Sequence, residues 1–205
     1  MKPALWVLVL WPLALAHAEP RILYTKTFPG SVPAYVSIRV ERNGNGEYKD
    51  SPDDDRPLKF HLAESDASAL FALVEKLNRL SRPLESPAKV AFMGMKTFRF
   101  EDDAEQHEVK FNFSEDLDAK LLADWFERIN ETEQLLIGLE RAAKYDKLGL
   151  NKAILQLETA MDHKRVVDAE QMLPILDRVA KNESYINMAR QRAAAIAEAI
   201  RAPKP

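Results

Sequence analysis

The longest regular pattern in the chain runs from Ser114 to Tyr145, where apolar residues recur every three or four positions. This spacing predicts one amphipathic helix, because a period of 3.6 residues places such positions on one face. At a rise of 1.5 Å per residue the helix is about 46 Å long, which is enough for two packing partners. We expect Ser114 to cap its N-terminus. The predicted apolar face consists of Leu117, Leu121, Trp125, Ile129, Leu136, Leu139 and Ala143.

Strand patterns precede this helix. Apolar and polar residues alternate over residues 34–41, as in a strand with one buried face. Residues 43–46 read Asn-Gly-Asn-Gly and predict a tight hairpin, because both residue types adopt positive φ at low cost. Residues 24–28 are a lead-in that contributes at most one edge strand. The remaining strands are predicted near Glu47 and Tyr48, at Leu58 to Leu62, at Phe98 to Phe100, and at Val109 to Phe113.

Helical patterns make up the rest of the chain. One helix is predicted from Ser65, as N-cap, to Leu80, ahead of Pro83. Beyond Tyr145 no strand pattern occurs, and Leu148-Gly149 indicates a helix end. Three further helices are predicted at residues 150–161, capped by Asn151, at residues 166–180, with Pro174 in the first turn or at a kink, and at residues 186–200.

Together these elements predict an α+β fold. An antiparallel sheet of about five strands, in the chain order β-β-β-α-β-β, packs against helices and is followed by an all-α helical tail. The predicted segments are a signal peptide at 1–18, the sheet with one helix at 19–114, the long connecting helix at 115–146, and the helical tail at 147–205.

The first eighteen residues predict export. Lys2 supplies a positive charge, residues 4–15 are apolar apart from Pro12, and Ala16-His17-Ala18 fits a signal-peptidase site. The alternative is an uncleaved membrane anchor, but the apolar run is shorter than the roughly 20 residues that a spanning helix needs. We therefore expect a periplasmic or extracellular protein with no membrane span after cleavage.

Composition narrows the classes of function. The chain has 205 residues, of which 46% are hydrophobic and 30% charged, and a net charge of −3. This mild acidity argues against nucleic-acid binding, which needs a basic surface. The absence of cysteine excludes disulfides, a thiol nucleophile and a lipid attached through cysteine. Stability must come from an ordinary hydrophobic core.

Candidate chemistry is sparse. His61 and His107 could form a site if their strands adjoined, but their parity against neighbouring apolar residues places them on opposite faces. The sequence contains no zinc-ligand spacing, no serine nucleophile motif and no phosphate loop, so we predict no cofactor.

The densest acidic cluster offers one metal hypothesis. Asp53, Asp54 and Asp55 supply carboxylate oxygens of the kind that calcium prefers, in a loop bracketed by Pro52 and Pro57. The cluster lacks the alternating order of an EF-hand. We favour the alternative, a solvated loop whose charges discourage pairing between sheet edges.

Two parts of the chain resemble known proteins. The C-terminal pattern resembles one HEAT-type helical hairpin, in which Leu-Pro opens the first helix and small residues pack the second, and the resemblance implies a surface for protein contact. The strand half is similar to small exported bacterial domains of unknown function, which implies no activity. The HEAT-like positions are Leu173 to Leu176, Val179, Asn182, Arg190, Ala193, Ala194, Ile196 and Ile200, and the strand-half positions are 38–44 and 93–98.

The leading hypothesis is an exported, noncatalytic binding or adaptor protein that contacts another protein through the helical tail. Two alternatives stay open: an extracytoplasmic hydrolase that uses loop carboxylates, and a sensor domain that responds to calcium or another ligand. An exposed apolar groove between the tail helices would favour the adaptor, whereas a buried acid pair shared by homologues would favour the enzyme.

Overall fold

The computed structural model describes residues 19–202, so the predicted signal peptide lies outside the described residues. The described chain forms one antiparallel sheet and five α-helices, which confirms the predicted α+β class and the helical C-terminal part. The strands are β1 (Arg21–Thr27), β2 (Tyr35–Glu41), β3 (Asn45–Lys49), β4 (Leu58–His61), β5 (Met95–Glu101) and β6 (Gln106–Phe111). The helices are α1 (Glu64–Lys76), α2 (Leu117–Tyr145), α3 (Leu150–Asp162), α4 (Leu173–Lys181) and α5 (Asn187–Arg201).

The sheet has six strands in the order β4-β3-β2-β1-β5-β6, one more than predicted. The expectation that residues 24–28 form at most an edge strand is wrong, because β1 is central and pairs with both β2 and β5. Ile22 and Tyr24 are buried beneath the helices, while Leu23 between them is half-buried. This apolar residue on the outer face blurs the alternation that would have indicated a strand.

The predicted hairpin between β2 and β3 is present. Gly44 has a φ of +90°, and its backbone N–H donates to Glu41 O at 2.9 Å. Two residues further on, Gly46 faces Phe60 on β4 in register, and a Cβ at Gly46 would lie 2.2 Å from the Phe60 ring. Glycine at this position therefore lets an aromatic side chain lie directly on the backbone of the neighbouring strand.

Helix α2 packs one face on the sheet through aromatic contacts. The rings of Tyr24 and Phe126 are stacked with centroids 4.8 Å apart. The predicted apolar face is wrong over the first turns, since Leu117 is 70% and Leu121 47% exposed. The apolar residues of α2 form two neighbouring stripes along the helix. The stripe that contacts the aromatic residues of the sheet is buried, and the stripe that contains Leu117 and Leu121 is exposed. The residues that α2 buries there are Ala119, Leu122, Phe126 and Ile129.

Three predicted caps are also wrong. The N-cap of α2 is Asp116, whose Oδ1 accepts from the Ala119 N–H at 3.1 Å, and Ser114 lies outside the helix. Ser65 and Asn151 lie inside their helices, because α1 begins at Glu64 and α3 at Leu150. The N-caps of α1 and α3 are Ala63 and Gly149, which make no side-chain capping bond, so a polar residue near the start of a helical pattern does not fix the first residue of the helix. Pro174 lies in the first turn of α4, one of the two predicted placements.

The fold has two hydrophobic cores that share α2. The first lies between the sheet, α1 and the front half of α2, which contributes up to Ile129. The second is formed by α3, α4, α5 and the rear half of α2, which contributes from Leu139 onward. Between the two cores α2 buries two polar residues, Thr132 and Glu133. Within residues 19–202, no helix has the length and hydropathy needed to cross a membrane.

Candidate binding groove

A groove of about 820 Å³ lies between α2 and α3. This volume falls within the range of small-molecule and cofactor pockets. The loop between β1 and β2 forms one end, where Val32 is 97% exposed. A second, smaller pocket shares Val32, Pro33 and Asn130 with the groove and continues it toward Lys26. The groove is lined by Val32, Pro33, Glu127, Asn130, Glu131, Gln134, Leu135, Gly138, Lys152, Ala153, Leu155, Gln156, Thr159, Ala160, His163 and Arg165.

Gly138 keeps the floor of the groove open. It lies in the interior of α2, where glycine costs about 1 kcal/mol relative to alanine. A Cβ added at Gly138 would meet no atom within 4 Å, so packing does not require the missing side chain. Leu135, Ala153 and Leu155 provide apolar surface beside it. This part of the groove is therefore aliphatic, and the space beside Gly138 is open.

Two amides on one wall are held by a tyrosine of the sheet. Gln134 Nε2 donates to Tyr48 Oη at 2.6 Å, and the Tyr48 hydroxyl donates to Asn130 Oδ1 at 3.1 Å. Burial raises the pKa of Tyr48 above its ordinary value of 10.0, so the phenol keeps the proton that it donates. This chain of bonds leaves Asn130 Nδ2 as a donor and Gln134 Oε1 as an acceptor. The two amides are thus fixed with complementary polarity.

The segment between α3 and α4 forms another wall, which carries His163 and Arg165. Arg165 Nη1 lies 2.6 Å from Asp124 Oδ1, and Arg165 Nε lies 3.0 Å from Glu131 Oε2. The hydrogen bond from Arg165 to Asp124 is the main cause of the raised pKa of the guanidinium. Because two carboxylates of α2 neutralise this cation, the Arg165 guanidinium is not free to bind an anion.

A second ionic group closes the end of the groove near the sheet. Glu127 Oε1 accepts from Tyr24 Oη at 2.7 Å and from Lys26 Nζ at 2.8 Å. Burial raises the pKa of Tyr24, and the nearby Glu127 charge raises it further. Lys96 is paired in register with Lys26, and its pKa is lowered by burial and then by the Lys26 charge. These groups fix the Glu127 carboxylate as an acceptor at that end.

Behind the Arg165 wall, the same segment is held by buried polar contacts. Thr132 Oγ1 accepts from the Val167 N–H at 3.1 Å and donates to Arg128 O at 2.9 Å. Burial raises the pKa of Glu133 from 4.5 to about 7; the hydrogen bond from Gln171 lowers it and the Asp168 charge raises it. The centre of α2 therefore holds the segment between α3 and α4 through two contacts. The contact of Thr132 with Val167 is neutral, and the contact of Glu133 with Gln171 involves a titratable carboxyl group.

The histidines singled out from the sequence lie far apart. His61 is on β4 and His107 on β6, the two opposite edges of the sheet. His61 is exposed, and its Nδ1 lies 3.2 Å from Asn45 Oδ1. His107 Nδ1 lies 3.1 Å from Arg79 O. The structure therefore brings these two residues into no common site.

The calcium candidates lie in the loop between β3 and β4. Asp53 and Asp55 are exposed and Asp54 is half-buried. Asp54 Oδ1 accepts from the Arg56 N–H at 2.9 Å, and Asp54 O accepts from Lys49 Nζ at 2.6 Å. Across residues 19–202, no three His, Cys, Asp or Glu residues group in a way that could hold a metal ion. Calcium binding by this loop stays a prediction.

The acid-rich stretch of residues 101–118 is balanced by bases from other elements. The sequence places one lysine among its acids, but the fold adds arginines from β1 and from the residues that follow α1. Its ion pairs are Glu101 with Arg21 and Arg99, Asp102 and Glu105 with Arg79, Glu108 with Lys110, Asp116 with Arg82, and Asp118 with Lys76. These carboxylates are engaged as structural ion pairs.

Sequence reasoning missed the groove. Its amides depend on Tyr48, which lies 82 residues from Asn130 along the chain, so no local pattern reports the contact. One signal was present: Gly138 interrupts an otherwise continuous helical pattern, and an unexplained glycine in a helix favours a packing or functional reason. No family model, curated protein or solved structure matches the chain.

Proposed function

We propose that this chain is an exported, noncatalytic binding or adaptor protein, and that the groove between α2 and α3 receives a segment of a partner protein. The observation that carries the proposal is the combination of an open aliphatic floor at Gly138 with two amides held in fixed orientation by Tyr48. An aliphatic floor suits partner side chains, and a few placed polar groups give specificity. Export remains the expectation from residues 1–18.

The charged groups bordering the groove support binding rather than catalysis. Glu127 is held by Tyr24 and Lys26, and Arg165 by Asp124 and Glu131. Glu127 and Arg165 are thus each held by oppositely charged or hydrogen-bonding neighbours, so neither of these two groups is free to take part in a reaction. The hydrolase alternative is tested by substrate screens, and the calcium-sensor alternative is tested by a calcium titration.

We place the proposed contact surface on α3, the first helix of the tail, and not on the HEAT-like hairpin of α4 and α5. Helices α4 and α5 pack against each other and bury Ile175, Leu176, Ala189 and Ala193 in the second core. Helix α3 instead presents exposed residues to the groove, including Leu155 and Gln156. Helix α3 is therefore the part of the tail that we propose contacts the partner.

Site-specific photo-cross-linking in the native host tests this function. A benzoylphenylalanine at Gln156 places the reactive group in the groove, and the same residue at the exposed Gln191 of α5 is the matched control. We expect a discrete protein adduct from position 156 and none of that mass from position 191. Equal adducts from both positions, or no protein adduct from position 156, would overturn the proposal.

A further inference from the structure

We infer that the groove recognises the main chain of its partner, with Asn130 and Gln134 clamping one residue of an extended polypeptide segment. This inference rests on the proposed function and names the kind of ligand that the groove takes. Asn130 Nδ2 would donate to the carbonyl of the bound residue, and Gln134 Oε1 would accept from its N–H. Both amides line the groove.

The polarity of the clamp is set by a single proton. The Tyr48 hydroxyl accepts from Gln134 Nε2 and donates to Asn130 Oδ1, so each amide has one of its two ends occupied. Reversing one amide alone would place two donors or two acceptors against the phenol, at the cost of a buried hydrogen bond, whereas reversing both together would keep both bonds and exchange the donor and the acceptor. Tyr48 is 1% exposed and belongs to the sheet core, so it cannot turn away. The pair therefore presents one donor and one acceptor to the groove, and in this structure Asn130 is the donor and Gln134 the acceptor.

The spacing of the two amides fits one residue of an extended chain. Asn130 and Gln134 are four residues apart on α2, which separates them by about 6 Å along the helix axis. In an extended strand, the N–H and C=O of one residue point to the same side and pair together with a partner. Side-chain amides on adjacent turns can therefore meet both groups of one residue.

A bound helix would not satisfy the same groups. In the interior of a helix, N–H and C=O bond to each other, so only an extended or irregular segment offers free main-chain groups. A phosphate-bearing ligand is disfavoured, because Arg165 is already paired with Asp124 and Glu131. The aliphatic surface of Leu135 and Leu155, open at Gly138, would then accept the side chains that flank the clamped residue.

Peptide display with a backbone test distinguishes this inference from the broader function. Random 12-residue peptides are selected on residues 19–205, after counter-selection on Gly138→Phe, whose ring would fill the groove. The best peptide is then synthesised with each residue N-methylated in turn. We expect one position at which N-methylation weakens binding about tenfold, the range of one good hydrogen bond.

The decisive readout is the coupling to Gln134. In Gln134→Ala, which removes the acceptor, N-methylation at that position should cost less than twofold, whereas the control variant Gln191→Ala should keep the full effect. Asn130→Ala should weaken the unmodified peptide about fivefold, and Asn187→Ala should leave it unchanged.

Three results would overturn the clamp. If the N-methyl effects of the selected peptides are the same in Gln134→Ala, the groove binds a protein segment without reading its backbone, and the proposed function stands. A selection on the wild-type protein that yields no binding peptide would also reject the clamp. Binding of oligosaccharides from a glycan array, lost in Gly138→Phe, would replace the polypeptide by a carbohydrate and reject both proposals.

Discussion

Gln171 Nε2 donates to Glu133 Oε1 at 3.1 Å, while Glu133 Oε2 has no hydrogen-bond partner among the described residues. Glu133 is 1% exposed and lies at the point on α2 where the sheet core gives way to the helical core. Gln171 lies in the short 3₁₀ turn at Ala169–Met172, just after the segment that carries His163 and Arg165 into the groove. The wall of the groove is therefore anchored beside a carboxyl group that water does not reach.

Stability should fall as pH rises through the titration of Glu133. Its folded pKa of about 7 lies above the ordinary 4.5, so the native state binds more protons than the unfolded state between these values. The free energy of unfolding should decrease from about pH 4.5 to pH 7 and level off above, by about 3 kcal/mol from this group. Urea denaturation at pH 4 to 9 measures this change in the free energy of unfolding.

Glu133→Gln should remove that decline, because glutamine is neutral at every pH and has nearly the same shape. At pH 8 we expect the variant to be more stable than the wild type. Glu140→Gln, at an exposed position of the same helix, is the control and should keep the wild-type slope. Identical pH profiles for wild type and Glu133→Gln would contradict the assignment. Asp168 and Tyr48 are the other titratable groups coupled to Glu133.

Thr132→Val should destabilise the protein by about 1 to 3 kcal/mol, the cost of a buried N–H left without an acceptor. Val167 N–H donates to Thr132 Oγ1 at 3.1 Å, and valine has the shape of threonine without the oxygen. Thr132→Ser keeps the acceptor and should recover most of the loss. If Thr132→Ser is as unstable as Thr132→Val in urea denaturation, the hydroxyl contact does not hold the segment.

Two glycine-to-alanine substitutions should have opposite signs. Gly138→Ala should stabilise the protein by about 0.5 to 1 kcal/mol, because alanine is the better helix former and the Cβ meets no atom. Gly46→Ala should destabilise it, because the Cβ would lie 2.2 Å from the Phe60 ring. Thermal denaturation of both variants gives the signs directly. A loss of stability in Gly138→Ala would show that the groove floor is already filled.

Calcium at millimolar concentration should leave Tm unchanged. Asp54 Oδ1 is engaged with the Arg56 N–H, and the neighbouring Asp53 and Asp55 are exposed carboxylates on a loop. A ligand that binds only the folded state raises Tm with its concentration, so a calcium titration followed by calorimetry is sensitive to a weak site. A rise in Tm that disappears in Asp54→Asn would establish the calcium site and favour the sensor alternative.

Local features of the fold could be predicted, whereas relationships across the sheet could not. The hairpin at Gly44 and the helices depend on neighbouring residues, and the structure contains them. The central position of β1 depends on pairing with β5, whose residues lie 68 to 80 positions further along the chain. The face that α2 buries depends on stacking between Phe126 and Tyr24, since the helix pattern alone allowed two stripes.

The candidate site was beyond sequence reasoning for the same cause. Asn130 and Gln134 are ordinary polar residues of an exposed helix face until Tyr48 fixes their orientation. Glu133 looks like one of many surface acids, and only its burial between two cores gives it a shifted pKa. The sequence shows a glycine inside a helix at position 138, but only the structure shows that the space beside Gly138 is open.

Filling the groove is the strongest test of a binding site between α2 and α3. The photo-cross-linker at Gln156 is combined with Gly138→Phe, which fills the groove, or with Arg141→Phe, which places the same side chain at an exposed position of α2. Both variants are first checked for wild-type Tm. We expect the protein adduct to be lost in Gly138→Phe and kept in Arg141→Phe. An adduct of equal yield in both variants would contradict a binding site between α2 and α3.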